Sequence, residues 1–439
     1  MNNYANWLDD KEFQKNLIKI TDKDDVKESG IQLSSDKKSF YIDKKDGHSL
    51  VIGATGSAKT QTIILPIINM AMLAGETFAV NDPKAELYKG TRDELEKKGY
   101  KVVLVDFDDI SKGNYWNPFE IIEKNYSEKK THADGILELV AKYLFFASDK
   151  ESDPFWKNSA SDFFCGLSSY FLEKKEKITF DKIFALSDSL TSNEECEKFV
   201  KLLDKKSSTY SYLAGTIKAP METRNSIISV FNSEINKIVS NKSLSNMLSK
   251  TDFDIDNINE KTAIFIVPNR YKKFGSLETI LINELYESLA ISDNKNRVNF
   301  LLDDFDEINP VENLASILNY ARGYNINFTC NIKSINTLKN LYNTQSLDLI
   351  KLCFSNIVYL YSNDNDTLKV VSELCGNTKD KNGNIEPLVT IESLKVIKPF
   401  EAIIIKARYM PVKTKLLPSF KINWGYELGN SSIPERKDI

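Results

Sequence analysis

A glycine-containing stretch decides how the rest of the chain folds: Gly53-Ala54-Thr55-Gly56-Ser57-Ala58-Lys59-Thr60. It follows an apolar run with β-branched residues, Ser49-Leu50-Val51-Ile52, and precedes a segment that is helical in pattern apart from Pro66. A strand, a glycine turn, Lys-Thr and a helix form the layout of a phosphate-binding loop, in which backbone N–H groups face an anion. The lysine of such a loop reaches the outer phosphates, and its threonine hydroxyl holds Mg²⁺. The sequence therefore predicts that residues 53–60 bind a nucleotide.

One position departs from the loop motif, because Ala58 stands where the motif has a glycine before its lysine. Glycine suits that turn since the backbone must approach the phosphate closely. Alanine adds only one methyl group, and the phosphate loop of MCM-type helicases resembles this one in carrying alanine there. Ala58 is therefore compatible with a working site. An ordinary glycine-containing strand-to-helix turn is the alternative interpretation of the motif alone.

Composition sets the broad class of the protein. The chain has 439 residues, enough for two or three domains, and a net charge of −4, so any nucleic-acid-binding surface must be local. Its five cysteines are scattered, which favours a reducing compartment over a zinc site or a disulfide framework. Its two histidines are far apart in sequence, which argues against histidine-based catalysis. No apolar run reaches about 18 residues, so we expect that this chain does not span a membrane by itself.

Strands and helices alternate after the phosphate loop. Apolar runs at 77–80 and 101–106, with a helical pattern between them, predict a βαβ unit of a parallel sheet. Polar residues that directly follow such a strand, Asn81 to Lys84 here, lie at the carboxyl edge of the sheet, where ligands bind. From about 122 to 245 the pattern is mainly helical, and we interpret its aromatic residues as a helical core rather than a base-stacking platform.

A second candidate site segment is an apolar strand that ends in two carboxylates, Val298–Leu302 followed by Asp303 and Asp304. This is a Walker B pattern, in which the first carboxylate reaches Mg²⁺ and the second orients or deprotonates the attacking water. A strand end with solvated acids is the alternative, and it is favoured only when no phosphate loop precedes it. Because 243 residues separate Thr60 from Asp303, the helical segment is expected to be an inserted domain.

These patterns predict an α/β fold with a mainly parallel central sheet and an inserted all-α domain. We expect residues 1–121 to form the first part of the nucleotide-binding domain and residues 246–430 the second part. The all-helical domain occupies residues 122–245, and residues 431–439 form a loose tail.

Five segments together resemble the TraG/TraD-type coupling proteins of conjugation and type IV secretion, over nearly the whole chain. They are Ala5-Asn6-Trp7, Asn81-Asp82-Pro83-Lys84-Ala85-Glu86-Leu87-Tyr88, Trp116-Asn117-Pro118-Phe119, Asp153-Pro154-Phe155-Trp156 and Leu301-Leu302-Asp303-Asp304-Phe305. The resemblance implies a RecA-like motor domain and a substrate-recognition domain that is all-helical. It also implies a ring of about six subunits.

The same resemblance implies ATP and Mg²⁺ as cofactors, and the relaxase–DNA complex or a protein as the substrate delivered to a type IV secretion channel. Such proteins work in the cytoplasm at the inner face of the cell membrane, usually anchored by N-terminal helices. This sequence starts where those helices would end. It is either a soluble portion of such a protein or a member that lacks the helices and docks through partners.

Site roles follow from the resemblance, residue by residue. Lys59 and Thr60 correspond to the residues that bind phosphates and Mg²⁺, and Asp303 corresponds to the magnesium carboxylate. Arg322 stands where the family resembles other ring motors in offering an arginine to the nucleotide of a neighbouring subunit, a task that suits a planar guanidinium. A solvated charge at a helix end is the alternative for Arg322.

Two further departures affect the catalytic half of the site. Asp304 replaces a glutamate, which shortens the side chain by one methylene, and Lys333 stands where the family has a glutamine that senses the γ-phosphate. A lysine can contact phosphate but cannot accept a hydrogen bond. Asp306 or Glu307 is an alternative source of the missing carboxylate. With Ala58, these changes predict an ATPase that is weak or depends on a partner, with nucleotide binding retained.

Three functions stay open at this point. The first is an ATP-driven motor that transfers DNA or protein, and the second is a substrate-receptor scaffold whose degenerate site binds nucleotide to set assembly. The third is a cytosolic DNA pump of the FtsK/HerA kind, which the segments at Asp82-Pro83-Lys84 and Trp116-Asn117-Pro118 argue against.

Overall fold

The structure is a computed structural model that describes residues 4–43, 47–146, 153–190, 192–255, 258, 261–292 and 296–436. The chain divides into two compact units. The first comprises Met1–Leu104, Asn257–Val267 and Asp293–Ser432, and the second comprises Val105–Asp256, Pro268–Ser292 and Ile433–Ile439.

Strands concentrate in the first unit. They are β1 Ile18–Ile20, β2 Gln32–Ser35, β3 Phe40–Ile42, β4 His48–Gly53, β5 Thr77–Asn81, β6 Lys101–Asp106, β7 Thr262–Val267, β8 Val298–Leu302, β9 Ile326–Ile332, β10 Phe354–Tyr361, β11 Asn377–Lys379, β12 Ile385–Pro387, β13 Glu401–Lys406 and β14 Val412–Lys415. The apolar runs at 49–52, 77–80, 101–106 and 298–302 predicted β4, β5, β6 and β8 to within two residues.

Nine of the described strands form one sheet in the order β14-β13-β10-β4-β9-β8-β5-β7-β6. The six strands from β10 to β7 run parallel, and β13 and β14 continue the sheet antiparallel. The residues of β4, β5, β7, β8 and β9 are all buried, which is expected of parallel strands covered on both faces. The mainly parallel central sheet predicted from the sequence is therefore confirmed.

The topology brings four loops together. The adjacent strands β4, β9, β8 and β5 are parallel, so the residues that follow them meet at the carboxyl edge of the sheet. These residues include the phosphate loop after Gly53, Lys333 after β9, Asp303 after β8 and Asp82 after β5. The sheet order thus assembles the candidate site from segments that are far apart in sequence.

Helices occupy most of the second unit. In the first unit they connect successive strands of the sheet. They are α1 Asp10–Gln14, α2 Leu65–Ala74, α3 Glu86–Lys97, α4 Glu120–Asn125, α5 Lys130–Phe146, α6 Pro154–Glu173, α7 Phe180–Ser189, α8 Asn193–Leu202, α9 Ser208–Lys218, α10 Met221–Val239, α11 Lys242–Met247, α12 Gly275–Ile291, α13 Leu314–Ala321, α14 Ile335–Leu341, α15 Thr344–Leu352, α16 Asn365–Cys375 and α17 Ile391–Lys395. Side-chain caps define several starts, since Asp153, Thr179 and Ser207 each accept a backbone N–H of the first turn.

The second unit has an aromatic core. Phe145, Phe163 and Phe231 are fully buried, and the Phe231 ring contacts both of the others, with centroids 6.1 Å from Phe145 and 5.2 Å from Phe163. This confirms that the aromatic pattern builds a helical core. Phe155 is an exception, because it lies in the first turn of α6 and is 50% exposed.

The second unit also contains more than the segment 122–245. Residues 105–121 belong to it, and so does α12, which packs against α5. The expected loose tail is held as far as residue 436, because the Arg436 guanidinium donates to the carbonyls of Ile110, Lys112 and Asn114. Residues 437–439 lie outside the described residues. Within the described part of the chain, no helix combines the length and the apolar character that crossing a bilayer requires.

Candidate nucleotide-binding site

The loop from Gly53 to Thr60 has the backbone of a phosphate cradle. An ideal Cβ at Gly53 would lie 2.9 Å from Lys59 Cγ and closer still to Ser57 Oγ, so only glycine fits there. Gly56 has a φ of 82° and no atom within 4 Å of such a Cβ, which leaves open space beside the turn. The helix that follows begins with a π-helical turn, Thr60–Ile64, and continues as α2.

Ala58 has a φ of 67°, in the left-handed region that favours glycine. The preference for glycine at this position therefore has a backbone cause in addition to the close approach that the motif suggests. The Ala58 carbonyl accepts the Thr62 N–H at 2.9 Å. This hydrogen bond joins the strained turn to the first turn of the helix.

Lys59 is a buried cation at the floor of the loop. Its side chain is 7% exposed, and its ammonium donates to the Gly53 carbonyl at 2.5 Å. Burial lowers the pKa of the Lys59 ammonium. The nearby carboxylates of Asp304, Asp303 and Asp306 act in the opposite direction and raise that pKa. Lys59 is therefore a buried cation close to three acids, and its ammonium can bind an anionic ligand.

Thr60 and Asp303 meet although 243 residues separate them. The Thr60 hydroxyl donates to Asp303 Oδ2 at 2.9 Å, while the Asn331 amide donates to Asp303 Oδ1 at 2.9 Å. The Asn81 amide holds the backbone carbonyl of Asp303 at 2.9 Å. A hydroxyl and an oriented carboxylate are oxygen ligands of the kind that Mg²⁺ prefers.

The second carboxylate of the pair is oriented by an unusual backbone. Asp304 has a φ of 50°, and its half-buried side chain lines the cavity beside the loop. A short 3₁₀ helix, Phe305–Glu307, follows it. Left-handed backbone in a residue other than glycine costs roughly 1–2 kcal/mol and is often found at functional sites.

Lys333 pairs with Glu307, and its ammonium donates to that carboxylate. The Lys333 N–H donates to Asp306 Oδ2 at 2.9 Å, and the Thr337 hydroxyl donates to the same oxygen. Asp306 Oδ1 is buried and has no hydrogen-bond partner among the described groups. The two alternative carboxylates, Asp306 and Glu307, are thus both engaged with Lys333.

Asp82 caps helix α3 from within the same edge of the sheet. Its Oδ2 accepts the Tyr88 N–H at 2.9 Å, and Ala85 precedes the helix with a φ of 53°. Burial raises the pKa of Asp82 to about 7, although backbone N–H groups at the helix start oppose that shift. Lys84 is exposed beside it.

A cavity of about 240 Å³ lies over these groups. Its lining comprises Ala54, Thr55, Gly56, Ser57, Ala58, Lys59, Thr60, Gln61, Asp82, Pro83, Lys84, Glu86, Leu87, Asp303 and Asp304. A second cavity of about 280 Å³ shares Gly56, Ser57 and Ala58 and is otherwise lined by Leu360, Tyr361, Ile397, Lys398, Pro399, Phe400 and Glu401. The loop therefore has a charged pocket on one side and a largely apolar pocket on the other.

Comparison with known proteins decides the family. A family model described as type IV secretory system conjugative DNA transfer matches residues 5–385. The chain belongs to this family. The resemblance to TraG/TraD-type coupling proteins that the sequence motifs indicated is confirmed.

Solved structures support the same fold. The bacterial conjugative coupling protein TrwBΔN70, in an unbound form, is 14% identical with a TM-score of 0.65, covering 93% of this chain and 92% of that one. The plasmid coupling protein TrwB in complex with ADP and Mg²⁺ is 13% identical with a TM-score of 0.68 and coverages of 99% and 95%. VirB4 of Thermoanaerobacter pseudethanolicus is 11% identical with a TM-score of 0.55 and coverages of 89% and 96%. No curated protein matches the chain. These likenesses confirm the RecA-like fold with an all-helical part.

Arg322 lies away from the cavity over residues 53–60 of its own chain. It follows α13 and precedes β9, its side chain is exposed, and it is not among the described residues that line the cavity. Burial lowers the pKa of His48 to about 4, and the positive charge of Arg322 adds to that shift. Because His48 begins β4 and Gly53 ends it, Arg322 lies near the amino edge of the sheet, roughly 17 Å from the phosphate loop along the strand.

Sequence reasoning placed Asn81 at the carboxyl edge of the sheet, but it missed Asn331 and the contacts by which both asparagines orient Asp303. Asn331 lies in β9 and Asn81 ends β5, the strands on either side of β8, and both asparagines are buried. The available signal was a polar residue near the carboxyl end of each strand, which is weak in β9 because that strand also contains Asn327 and Thr329. Only the order of the strands shows that these positions flank the Walker B carboxylate.

Proposed function

We propose that this chain binds ATP with Mg²⁺ in the cavity over residues 53–60. The observation that carries the proposal is the 2.9 Å hydrogen bond between the Thr60 hydroxyl and Asp303, which joins the phosphate loop to the Walker B strand. The buried Lys59 ammonium lies beside this pair and supplies the cation for the outer phosphates. The TrwB structure determined with ADP and Mg²⁺ has the same fold, which supports the assignment.

The residues present fit the nucleotide and the metal ion. Ser57 Oγ is buried and has no partner among the described groups, so a ligand phosphate oxygen would satisfy it. Thr60 and Asp303 would hold Mg²⁺, which takes few protein oxygens and keeps several waters. When bound, the ion neutralises charge that develops on the phosphate oxygens. The apolar cavity beside Ala58 offers a surface for the flat base, with Tyr361 and Phe400 among its lining residues.

Hydrolysis requires groups that this site holds only in part. Asp304 would orient the attacking water with a shorter arm than glutamate has, and Lys333 is engaged by Glu307. Arg322 is exposed at the amino edge of the sheet, so it can serve a nucleotide only in a neighbouring subunit of a ring. We therefore propose an ATPase that is weak as an isolated chain and stimulated by assembly or by a partner.

The biological role that follows is that of a coupling protein. It recruits the relaxase–DNA complex or a protein substrate to a type IV secretion channel, from the cytoplasmic face of the cell membrane, and uses ATP hydrolysis to drive transfer. The family match and the TrwB likeness support this role. The helical part, residues 122–245 in the sequence-based division, is proposed to recognise the substrate, and about six copies are proposed to form the ring.

Substituting Lys59→Ala in the native transfer system tests the motor. Loss of transfer with intact binding to the relaxase complex supports a motor, because nucleotide binding would then be needed after recruitment. The second candidate is a scaffold that binds nucleotide only to set assembly, and the engagement of Lys333 by Glu307 is the observation that favours it. Unchanged transfer by Lys59→Ala would support the scaffold and contradict the motor.

A further inference from the structure

The two oxygens of the Asp303 carboxylate face different groups. Oδ2 accepts the Thr60 hydroxyl at 2.9 Å, on the side of the phosphate loop. Oδ1 accepts two N–H donors, the side-chain amide of Asn331 at 2.9 Å and the backbone N–H of Asp304 at 3.2 Å. A carboxylate oxygen has two lone pairs, so these two donors occupy Oδ1. Only Oδ2 is left to face a cation bound beside Thr60.

Asn331 makes its hydrogen bond from the interior of the sheet. It is fully buried in β9, and its own Oδ1 has no partner among the described groups. The amide must turn its NH₂ group toward Asp303, because an ionised carboxylate only accepts hydrogen bonds. An apolar side chain at this position would avoid the cost of an unpartnered buried oxygen. The hydrogen bond to Asp303 is therefore what the asparagine contributes here.

The backbone of Asp303 is held from the other neighbouring strand. Asn81 ends β5 and is 2% exposed, and its amide donates to the Asp303 carbonyl at 2.9 Å. Strand β8, which Asp303 follows, lies between β5 and β9, so the residue is fixed from both sides. With its backbone fixed, Asp303 can present both carboxylate oxygens to one ion only if the hydrogen bond from Asn331 breaks.

We infer that Asn331 determines which divalent ion the site accepts: by occupying Asp303 Oδ1 it limits the carboxylate to one oxygen, which favours Mg²⁺ over Ca²⁺. The inference rests on the proposed function, because it concerns the ion bound with the nucleotide. Mg²⁺ requires near-octahedral geometry, keeps several waters and uses few protein oxygens. Ca²⁺ takes more oxygen ligands and accepts both oxygens of one carboxylate. A carboxylate with one free oxygen suits Mg²⁺ and denies Ca²⁺ a bidentate ligand.

The apparent affinities of Mg²⁺ and Ca²⁺ test the inference, measured by titrating each ion into the full chain with fluorescently labelled ADP. The wild type should favour Mg²⁺. Asn331→Leu removes the donor with little change in volume, so the Mg²⁺ affinity should fall about tenfold, as expected when a group that orients a metal ligand is lost. The Ca²⁺ affinity should fall less or rise, because the freed Oδ1 can join Oδ2 in binding the ion. Asn331→Asp replaces the donor by an acceptor of the same shape and should shift the preference in the same direction.

Asn327→Leu is the matched control. Asn327 lies in the same strand an even number of positions from Asn331, so the two side chains share a face of the sheet. Its side-chain amide is also buried, and neither polar atom has a partner among the described groups, so its loss should leave both ion affinities close to those of the wild type. Equal losses of Mg²⁺ and Ca²⁺ affinity in Asn331→Leu would contradict the inference. A change of preference in Asn327→Leu as large as in Asn331→Leu would contradict it too.

The proposed function and the role of Asn331 fail in different ways in this assay. Wild-type protein that binds ADP no more tightly with Mg²⁺ than without it contradicts the proposed nucleotide site and the inference with it. If Mg²⁺ enhances ADP binding by the wild type, while Asn331→Leu and Asn331→Asp keep the wild-type ratio of Mg²⁺ to Ca²⁺ affinity, only the role of Asn331 is contradicted.

Discussion

Replacing Lys59 by methionine should abolish most of the nucleotide affinity while keeping the packing of the side chain. Lys59 is 7% exposed, and its ammonium donates to the Gly53 carbonyl at the floor of the loop. A charge-assisted hydrogen bond to phosphate is worth about 1.5–3 kcal/mol, which corresponds to a loss of roughly 10- to 150-fold in affinity. Isothermal titration with ADP and Mg²⁺ measures this loss directly, and circular dichroism checks that the variant is folded.

Lys84→Met provides the control for charge on the same cavity. Lys84 also lines the cavity but is exposed, so its charge is screened by water and its loss should matter much less. The reasoning would be refuted if Lys59→Met bound ADP as tightly as the wild type. It would equally be refuted if Lys84→Met lost as much affinity as Lys59→Met, because burial of Lys59 would then not be what makes the site.

Three further changes have defined outcomes. Ala58→Gly removes backbone strain of about 1 kcal/mol at the left-handed position but increases the entropy of the unfolded chain, which costs about 0.4–1 kcal/mol of stability. The melting temperature and the ADP affinity should therefore stay nearly constant. A clear loss of either would argue against strain at Ala58. Burial raises the pKa of Asp82 to about 7, so between pH 4 and 7 the carboxyl ionises in the unfolded chain before it ionises in the folded one, and the wild type loses stability. The free energy of unfolding of Asp82→Asn should therefore exceed that of the wild type by an amount that grows from pH 4 to 7 and is constant above. A difference in urea unfolding that does not depend on pH would contradict this. The double change Asp304→Glu with Lys333→Gln should raise Mg²⁺-ATP turnover by at least about tenfold, and unchanged or lower turnover in a phosphate-release assay would argue that these residues do not limit hydrolysis.

The meeting of residues 53–60 with the carboxylates that follow β8 could be predicted because buried parallel strands have strong local signals. Buried strands such as β4 and β8 read as continuous apolar runs, and the polar residues that follow them must lie at the carboxyl edge. Lys59, Thr60 and Asp303 could therefore be named from the sequence, and the structure brings these three residues together.

The support of the Walker B carboxylate could not be predicted, because it depends on which strands are neighbours. Asn331 is 28 residues from Asp303 in sequence and Asn81 is 222 residues away, yet both donate to it. Strand order is a tertiary property, and a buried asparagine in a strand gives no local indication of its partner.

Backbone conformation and ion pairing at the site also could not be predicted from the sequence. Ala58 and Asp304 both have a left-handed φ, a region that aspartate enters more readily than most residues and alanine does not. The Lys333–Glu307 pair joins residues 26 apart, and it turns the lysine away from the role expected of a free cation. A comparison of motifs therefore identifies the unusual residues Ala58, Asp304 and Lys333 but does not show their backbone conformation or their ion pairs.

The central claim is that Thr60 and Asp303 hold Mg²⁺ beneath a nucleotide bound by residues 53–60. Titration of the purified chain with ADP, in the presence of Mg²⁺ and again with Mg²⁺ removed by EDTA, tests it most directly. The structure predicts binding that is clearly tighter with Mg²⁺, and a Thr60→Val variant, which lacks the hydroxyl, should lose that Mg²⁺ dependence. The absence of ADP binding in the presence of Mg²⁺, or binding that is indifferent to Mg²⁺, would contradict the claim.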